Sequence, residues 1–132
     1  MIAPVADDLC IRQENVYANS LRFDDAGRYT SFDPQAWTAT AGGKKRAVEH
    51  IRQLHVPPGS KDGSELTVVM IGDGATDLEA RRDERGGGGA DVFVCYGGVK
   101  ERPAVRDAAD MYITDFQQLI DLLQPDGAKA SY

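Results

Sequence analysis

Cysteine, histidine, basic charge and long apolar runs are all scarce in this chain, and each scarcity removes a class of protein. The two cysteines, Cys10 and Cys95, lie far apart and form no Cys-x-x-Cys pair. That excludes a disulfide framework and a cysteine zinc site, and reads as free thiols in a reducing compartment. The two histidines, His50 and His55, fall near the end of one expected helix without cysteine partners, so a zinc centre is not expected. No apolar run approaches the roughly 18 residues of a membrane span. The first eight residues carry neither the cationic and apolar regions of a signal peptide nor the Arg- and Ser-rich texture of a transit peptide. Lys plus Arg total 15 against 21 for Asp plus Glu, a net charge of −6. That balance speaks against nucleic acid, and against an anionic membrane held by basic charge. A small phosphorylated ligand stays open, because one cation and one divalent metal can hold a phosphate inside an acidic protein.

What is present reads as one domain, since 132 residues can bury a core without staples. Residues 2–11 are weakly helical, with Val5, Leu9 and Ile11 as apolar contacts. Val16-Tyr17-Ala18 reads as a short strand. Leu21 and Phe23, the turn Asp24-Asp25-Ala26-Gly27, then Tyr29 and Phe32 give a hairpin that Pro34 ends. Gly42-Gly43 leads into a helix over 44–54, with Ala47, Val48, Ile51 and Leu54 at helical spacing. Residues 57–64 form a breaker-rich loop. Leu66–Ile71 is the strongest strand, a β-branched run of the kind buried on both faces of a parallel sheet. A helix over 77–83, a loop at Gly86–Gly89, a strand over Val92–Tyr96, a helix from Pro103 to Ala108, a strand at Met111–Ile113 and a helix over Phe116–Leu123 follow. Residues 125–132 read as a frayed tail. Strand and helix alternate from residue 44 onward, so the class is α/β.

The segment Gly72-Asp73-Gly74-Ala75-Thr76-Asp77 stands where a buried strand turns into a helix. In open α/β sheets that is where ligands bind. Two carboxylates there, Asp73 and Asp77, with no Lys or Arg between them, need a positive partner. A hard oxygen-seeking cation such as Mg²⁺ satisfies them. The structural alternative is equally open: Asp73 makes a turn and Asp77 caps a helix start. The segment is not a dinucleotide fingerprint, because Asp77 replaces the third glycine and has the wrong sign for a pyrophosphate. It is not an EF-hand, because Ala75 and Asp77 break the ligand pattern. Gly42-Gly43-Lys44 offers close approach, a helix start and an ammonium to a phosphate. It equally reads as a solvated charge run continuing through Lys45 and Arg46, and it is not a Walker A loop. Gly97-Gly98 places glycines at another strand end.

These motifs together resemble the phosphoserine phosphatases of the haloacid dehalogenase-like (HAD) superfamily. The residues concerned are Glu14–Asn19, the hairpin ending Ser31-Phe32-Asp33, Gly42-Gly43-Lys44, Met70–Ala80 with its GDGATD core, Tyr96-Gly97-Gly98-Val99 and Tyr112–Phe116. The texture is most similar to plant or algal members. The resemblance implies an HAD-like Rossmannoid three-layer sandwich with a mostly parallel sheet and a β-hairpin insertion. It implies hydrolysis of O-phospho-L-serine, the last step of serine biosynthesis, through an aspartyl-phosphate. By the same resemblance Asp73 is a Mg²⁺ ligand, Asp77 its supporting neighbour, Thr76 a holder of the phosphoryl group, and Lys44 the lysine that neutralises phosphate and intermediate. A homodimer of the full-length protein and a cytoplasmic or plastid location are further implications.

The family's first motif, Asp-x-Asp-x-Thr, supplies the nucleophile and the general acid/base, and it does not occur in this chain. The second-motif Ser or Thr and the cap domain are also missing, so Met1 reads as an internal methionine of a longer protein. The chain is then a partial HAD core without its first two strands. The edge of the Leu66–Ile71 strand would lie bare, an aggregation hazard, and the isolated chain is expected to fold marginally or not at all. The alternatives to an enzyme's carboxyl-terminal part are an inactive truncated form or interaction partner, and an HAD phosphatase for another small phosphomonoester.

Overall fold

A computed structural model describes residues 2–57, 59, 66–82 and 88–124. The loop expected at 57–64, the end of the helix expected over 77–83, part of Gly86–Gly89 and the tail lie largely outside these residues. The chain forms two units, Met1–Leu66 and Thr67–Tyr132.

In the first unit, α1 spans Ala3–Asp8 with Pro4 in its first turn, where a missing N–H costs nothing. Ala6 is its buried residue, whereas Val5, Leu9 and Ile11 are exposed rather than packed as expected. The strand expected at Val16–Ala18 does not form. After a 3₁₀ turn at Gln13–Asn15 these residues run on without ladder pairing, because three residues gain no strand stability without a partner. The hairpin is present: β1 (Leu21–Phe23) pairs antiparallel with β2 (Tyr29–Phe32). Asp24 locks its turn, with Oδ1 accepting from the backbone N–H of Ala26 at 3.0 Å and of Arg28 at 2.9 Å. The Arg28 backbone N–H, more than the Arg28 guanidinium, holds this carboxyl below its usual range. Gly27 follows at φ +75°, a left-handed position that favours glycine.

The helix α2 spans Gly43–Leu54. Ala47 and Val48 are buried, and Leu54, the outermost of its apolar stripe, is exposed. Trp37, in a 3₁₀ turn over Trp37–Ala39, stacks on the His50 ring at 4.7 Å, and Tyr17 meets the same ring edge-on at 6.3 Å. Both histidines therefore have structural partners, His55 through its Nδ1 on the Ile51 carbonyl at 2.8 Å.

The second unit is a parallel three-stranded sheet, β3 (Val69–Gly72), β4 (Val92–Tyr96) and β5 (Met111–Ile113), in that spatial order. One-turn helices α3 (Ala75–Leu78) and α4 (Pro103–Arg106) follow β3 and β4, and α5 (Phe116–Leu123) follows β5. The helix after β3 thus starts two residues earlier than expected and ends after one turn. The core is Phe93, Cys95 and Val105, against which Met70, Leu78, Ala109 and Tyr112 pack. Half-buried carboxylate contacts tie the sheet to its loops: Asp110 accepts the Phe93 N–H at 2.8 Å, and Asp91 accepts the Val68 N–H at 2.8 Å. Asp115 caps α5 by accepting from Gln117, and Gln118 reaches back to the Asp115 N–H.

The strand read as Leu66–Ile71 starts later, at Val69, and is not buried on both faces. It lies at the sheet edge among the described residues, with Val69 45% and Ile71 37% exposed. β4, paired on both sides, has the continuous burial that the run of β3 suggested.

Candidate functional site

The parallel sheet brings two strand ends side by side: Gly72-Asp73-Gly74 at the end of β3 and Gly97-Gly98 after β4. Gly72 is fixed by what lies against it. A Cβ there would stand 2.3 Å from the Asp77 Cβ. The glycine lets α3 fold back until Asp77, only 7% exposed, rests on the strand end. Asp77 Oδ2 accepts the Gly74 N–H at 3.1 Å, so this carboxylate caps the start of α3. The capping reading of Asp77 is therefore the one its geometry supplies. Gly72→Ala is expected to destabilise the second unit by about 1–3 kcal/mol, as overpacking does, seen as a lowered urea midpoint for that unit. An unchanged midpoint would show that the helix can retreat without loss.

Asp73 is exposed, and so is Thr76 on the first turn of α3. The chain itself places a positive group beside Asp73. Arg102, immediately before α4, places its guanidinium nitrogen 3.3 Å from Asp73 Oδ2. This residue was missed because it is 29 positions away in the chain. The signal that could have found it is topological: the loop leaving β4 must pass beside the end of β3. Gly97 and Gly98 have packing duties. A Cβ at Gly97 would meet the Tyr112 hydroxyl at 2.2 Å, and one at Gly98 the Thr114 carbonyl at 2.4 Å.

Cys95 lies beneath this surface. Burial pushes its thiol pKa up, Asp73 adds to the rise, and Arg102 and Arg106 oppose it. Cys10 is exposed and Cys95 buried. With an aromatic disulfide reagent one thiol per native chain is expected to react at once, and the second only after denaturation. Two fast thiols would mean that the second unit is open.

Lys44 belongs to the first unit, half-buried on the first turn of α2. Gly42 precedes it at φ +70°. At Gly43 a Cβ would stand 2.1 Å from the Trp37 carbonyl oxygen, so the glycine pair seats the helix start against the Trp37 turn. Asp73, Thr76 and Asp77 share one junction of the second unit, and Lys44 stands at a helix start of the first.

The donors at the β3 end are hard oxygens, the right chemistry for Mg²⁺, but they do not by themselves build its shell. That ion takes six oxygens in a near-ideal octahedron, several of them often water. Here Asp77 is engaged by the Gly74 N–H, Asp73 by Arg102, and no cluster of three His, Cys, Asp or Glu exists among the described residues.

No protein-family model matches the chain. The chloroplastic phosphoserine phosphatase of Arabidopsis thaliana is 46% identical over 93% of this chain and 38% of its own length. The phosphoserine phosphatase of Drosophila melanogaster is 42% identical over 91% of this chain and 40% of its own. The chain thus spans well under half the length of these relatives. Among solved structures, that of a phosphoserine phosphohydrolase-like protein from Francisella tularensis matches with a TM-score of 0.71 at 24% identity, over 93% of this chain and 50% of that one. The structure of DsGPDH of Dunaliella salina matches with a TM-score of 0.64 at 34% identity, over 94% of this chain and 18% of that one.

The fold is therefore the α/β fold of HAD-like proteins. Within that fold the chain is similar in sequence to the carboxyl-terminal portion of proteins named phosphoserine phosphatase.

Proposed function

We propose that this chain is the carboxyl-terminal part of a phosphomonoester hydrolase acting on O-phospho-L-serine, and that it works only when joined to the residues that supply the nucleophile. The observation that carries the reading is the 46% identity to the Arabidopsis phosphatase over 93% of the chain, with the GDGATD junction at the end of β3. In this reading Lys44 neutralises the charge of the phosphate and of the transition state. Thr76, exposed on α3, donates its hydroxyl to a phosphoryl oxygen. Asp77 keeps Asp73 in place by fixing the strand-to-helix turn. Asp73 would contribute to holding Mg²⁺, which supplies a Lewis acid for the phosphoryl oxygens when bound. The remaining metal oxygens must come from outside the described residues.

The absence of Asp-x-Asp-x-Thr favours a second reading for the chain taken alone, a non-catalytic partner of another polypeptide. No helix among the described residues is long and apolar enough to cross a membrane. A plastid or cytoplasmic location and a homodimer of the assembled enzyme belong to the same proposal. The test is phosphate release from O-phospho-L-serine with Mg²⁺, by the chain alone and by a chimaera that joins it to the rest of the Arabidopsis enzyme. The expected result is background turnover for the chain and phosphatase activity for the chimaera. An active isolated chain, or an inactive but folded chimaera, would overturn the reading.

A further inference from the structure

We propose that Trp37 is a positioning residue for Lys44: the turn over Trp37–Ala39 grips one face of α2 at two points and so fixes where the helix presents its ammonium. The role of Lys44 toward a phosphate comes from the phosphatase reading; the clamp rests on contacts within the first unit. Gly43, Ala47 and His50 stand at i, i+4 and i+7 on α2 and therefore share a face. Trp37 holds both ends of that face. Its carbonyl oxygen occupies the space that a Cβ at Gly43 would need, so only glycine seats the helix start there. Its ring stacks on the His50 imidazole, with centroids 4.7 Å apart and planes 16° from parallel. Tyr17 meets the same imidazole edge-on at 6.3 Å. Ala47, between the two grips, is buried. Gly43 and His50 lie about 10 Å apart along the helix axis. One contact would leave the helix free to pivot; two that far apart fix its rotation and its height.

The turn that grips is itself anchored. The Thr38 hydroxyl donates to Asn19 Oδ1 at 2.6 Å, on the chain entering the hairpin. On the chain leaving it, the Asp33 N–H donates to the Ser20 carbonyl at 3.0 Å, and Asp33 Oδ1 accepts the Gln35 N–H at 2.9 Å. The clamp is thus tied to the base of the β1–β2 ribbon on both sides. Lys44 follows Gly43 by one residue, about 100° round the helix. Its direction is set by the rotation that the clamp fixes, and Trp37 acts on it through the backbone of α2.

The experiment is competitive acylation of the full 132-residue chain with trace acetic anhydride. Mass spectrometry gives the rate at Lys44 relative to Lys100, an exposed lysine of the second unit. Trp37→Leu removes the ring and leaves the carbonyl. The relative rate at Lys44 is then expected to rise about threefold or more, as a loosened helix start opens locally. Trp37→Phe and His50→Phe keep a stacked pair and should stay near wild type, and His55→Ala, just past the far end of the helix, should match it. A second measurement needs no substitution. In wild type the Gly43 N–H, bonded to the Thr40 carbonyl at 2.9 Å, should exchange at least about tenfold more slowly than in an unstructured peptide. In the chimaera with the Arabidopsis enzyme, Trp37→Leu should lower kcat about tenfold or more with KM little changed, the scale of a misplacement of about 1 Å. It should add nothing to Lys44→Ala, because both changes act on one group. An unchanged Lys44 rate in Trp37→Leu, an equal rise in His55→Ala, an unprotected Gly43 N–H, or kcat losses that add would each overturn the proposal. An inactive but folded wild-type chimaera would count against the phosphatase reading alone; acylation and exchange decide the clamp.

Discussion

Replacing Lys44 by alanine in the chimaera with the Arabidopsis enzyme is expected to lower kcat for phosphoserine by roughly two orders of magnitude or more, the cost of losing one stabilising donor of a transferring group. The argument begins at the helix start. Gly42 turns the chain at φ +70°, Gly43 packs without a Cβ against the Trp37 carbonyl, and Lys44 is then delivered half-buried on the first turn of α2. An ammonium placed against a phosphoryl group away from bulk water interacts with it more strongly than the same charge does in water. The charge on the transferring oxygens is spread in the transition state, so the loss should fall mainly on kcat. Lys44→Arg should recover part of it, since the charge stays while the point-like ammonium does not. Lys45→Ala is the control, and a small effect is expected. An unchanged rate in Lys44→Ala would return that residue to the solvated charge run with Lys45 and Arg46.

Phe93→Ala is the largest expected change in stability. Phe93 is 0% exposed on β4, and Cys95, Val105, Met70 and Leu78 belong to the cluster around it. Truncating a buried phenylalanine costs about 3–5 kcal/mol. Small domains hold only about 5–15 kcal/mol in total. The second unit also leaves Val69 and Ile71 of its edge strand exposed. The variant is therefore expected to lose the protection of Cys95 and of the β4 amides together, while the Trp37–His50 stack of the first unit gives an independent fluorescence signal. Retained slow exchange at Val94 would show that the cluster repacks around the gap. The same edge leads us to propose marginal stability for the isolated chain, and a cooperative monomeric melt with normal Val69–Ile71 protection would refute it.

Much of the fold was legible because it is local. β4, β5, α5 and the hairpin announce themselves by β-branched runs, helical spacing and turn residues within a dozen positions. Two misreadings have one cause. Val16–Ala18 and Leu66–Ile71 were judged by their own apolarity, but whether an apolar triplet becomes a strand, or a strand is covered on both faces, depends on neighbours that local composition does not specify.

The site divides along the same line. The order of residues alone placed Asp73, Thr76 and Asp77 at a strand-to-helix junction, put Lys44 behind two glycines, and showed that no Asp-x-Asp-x-Thr stands in the chain. Those are facts of spacing and type, and spacing survives folding. Tertiary structure decided that Asp77 is a buried helix cap, that Gly72 exists to admit it, and that Arg102 answers the charge of Asp73. Parallel pairing of β3 with β4 makes neighbours of strand ends that are more than twenty residues apart in the chain. Charges act through space, so only the folded sheet could reveal which cation meets which carboxylate.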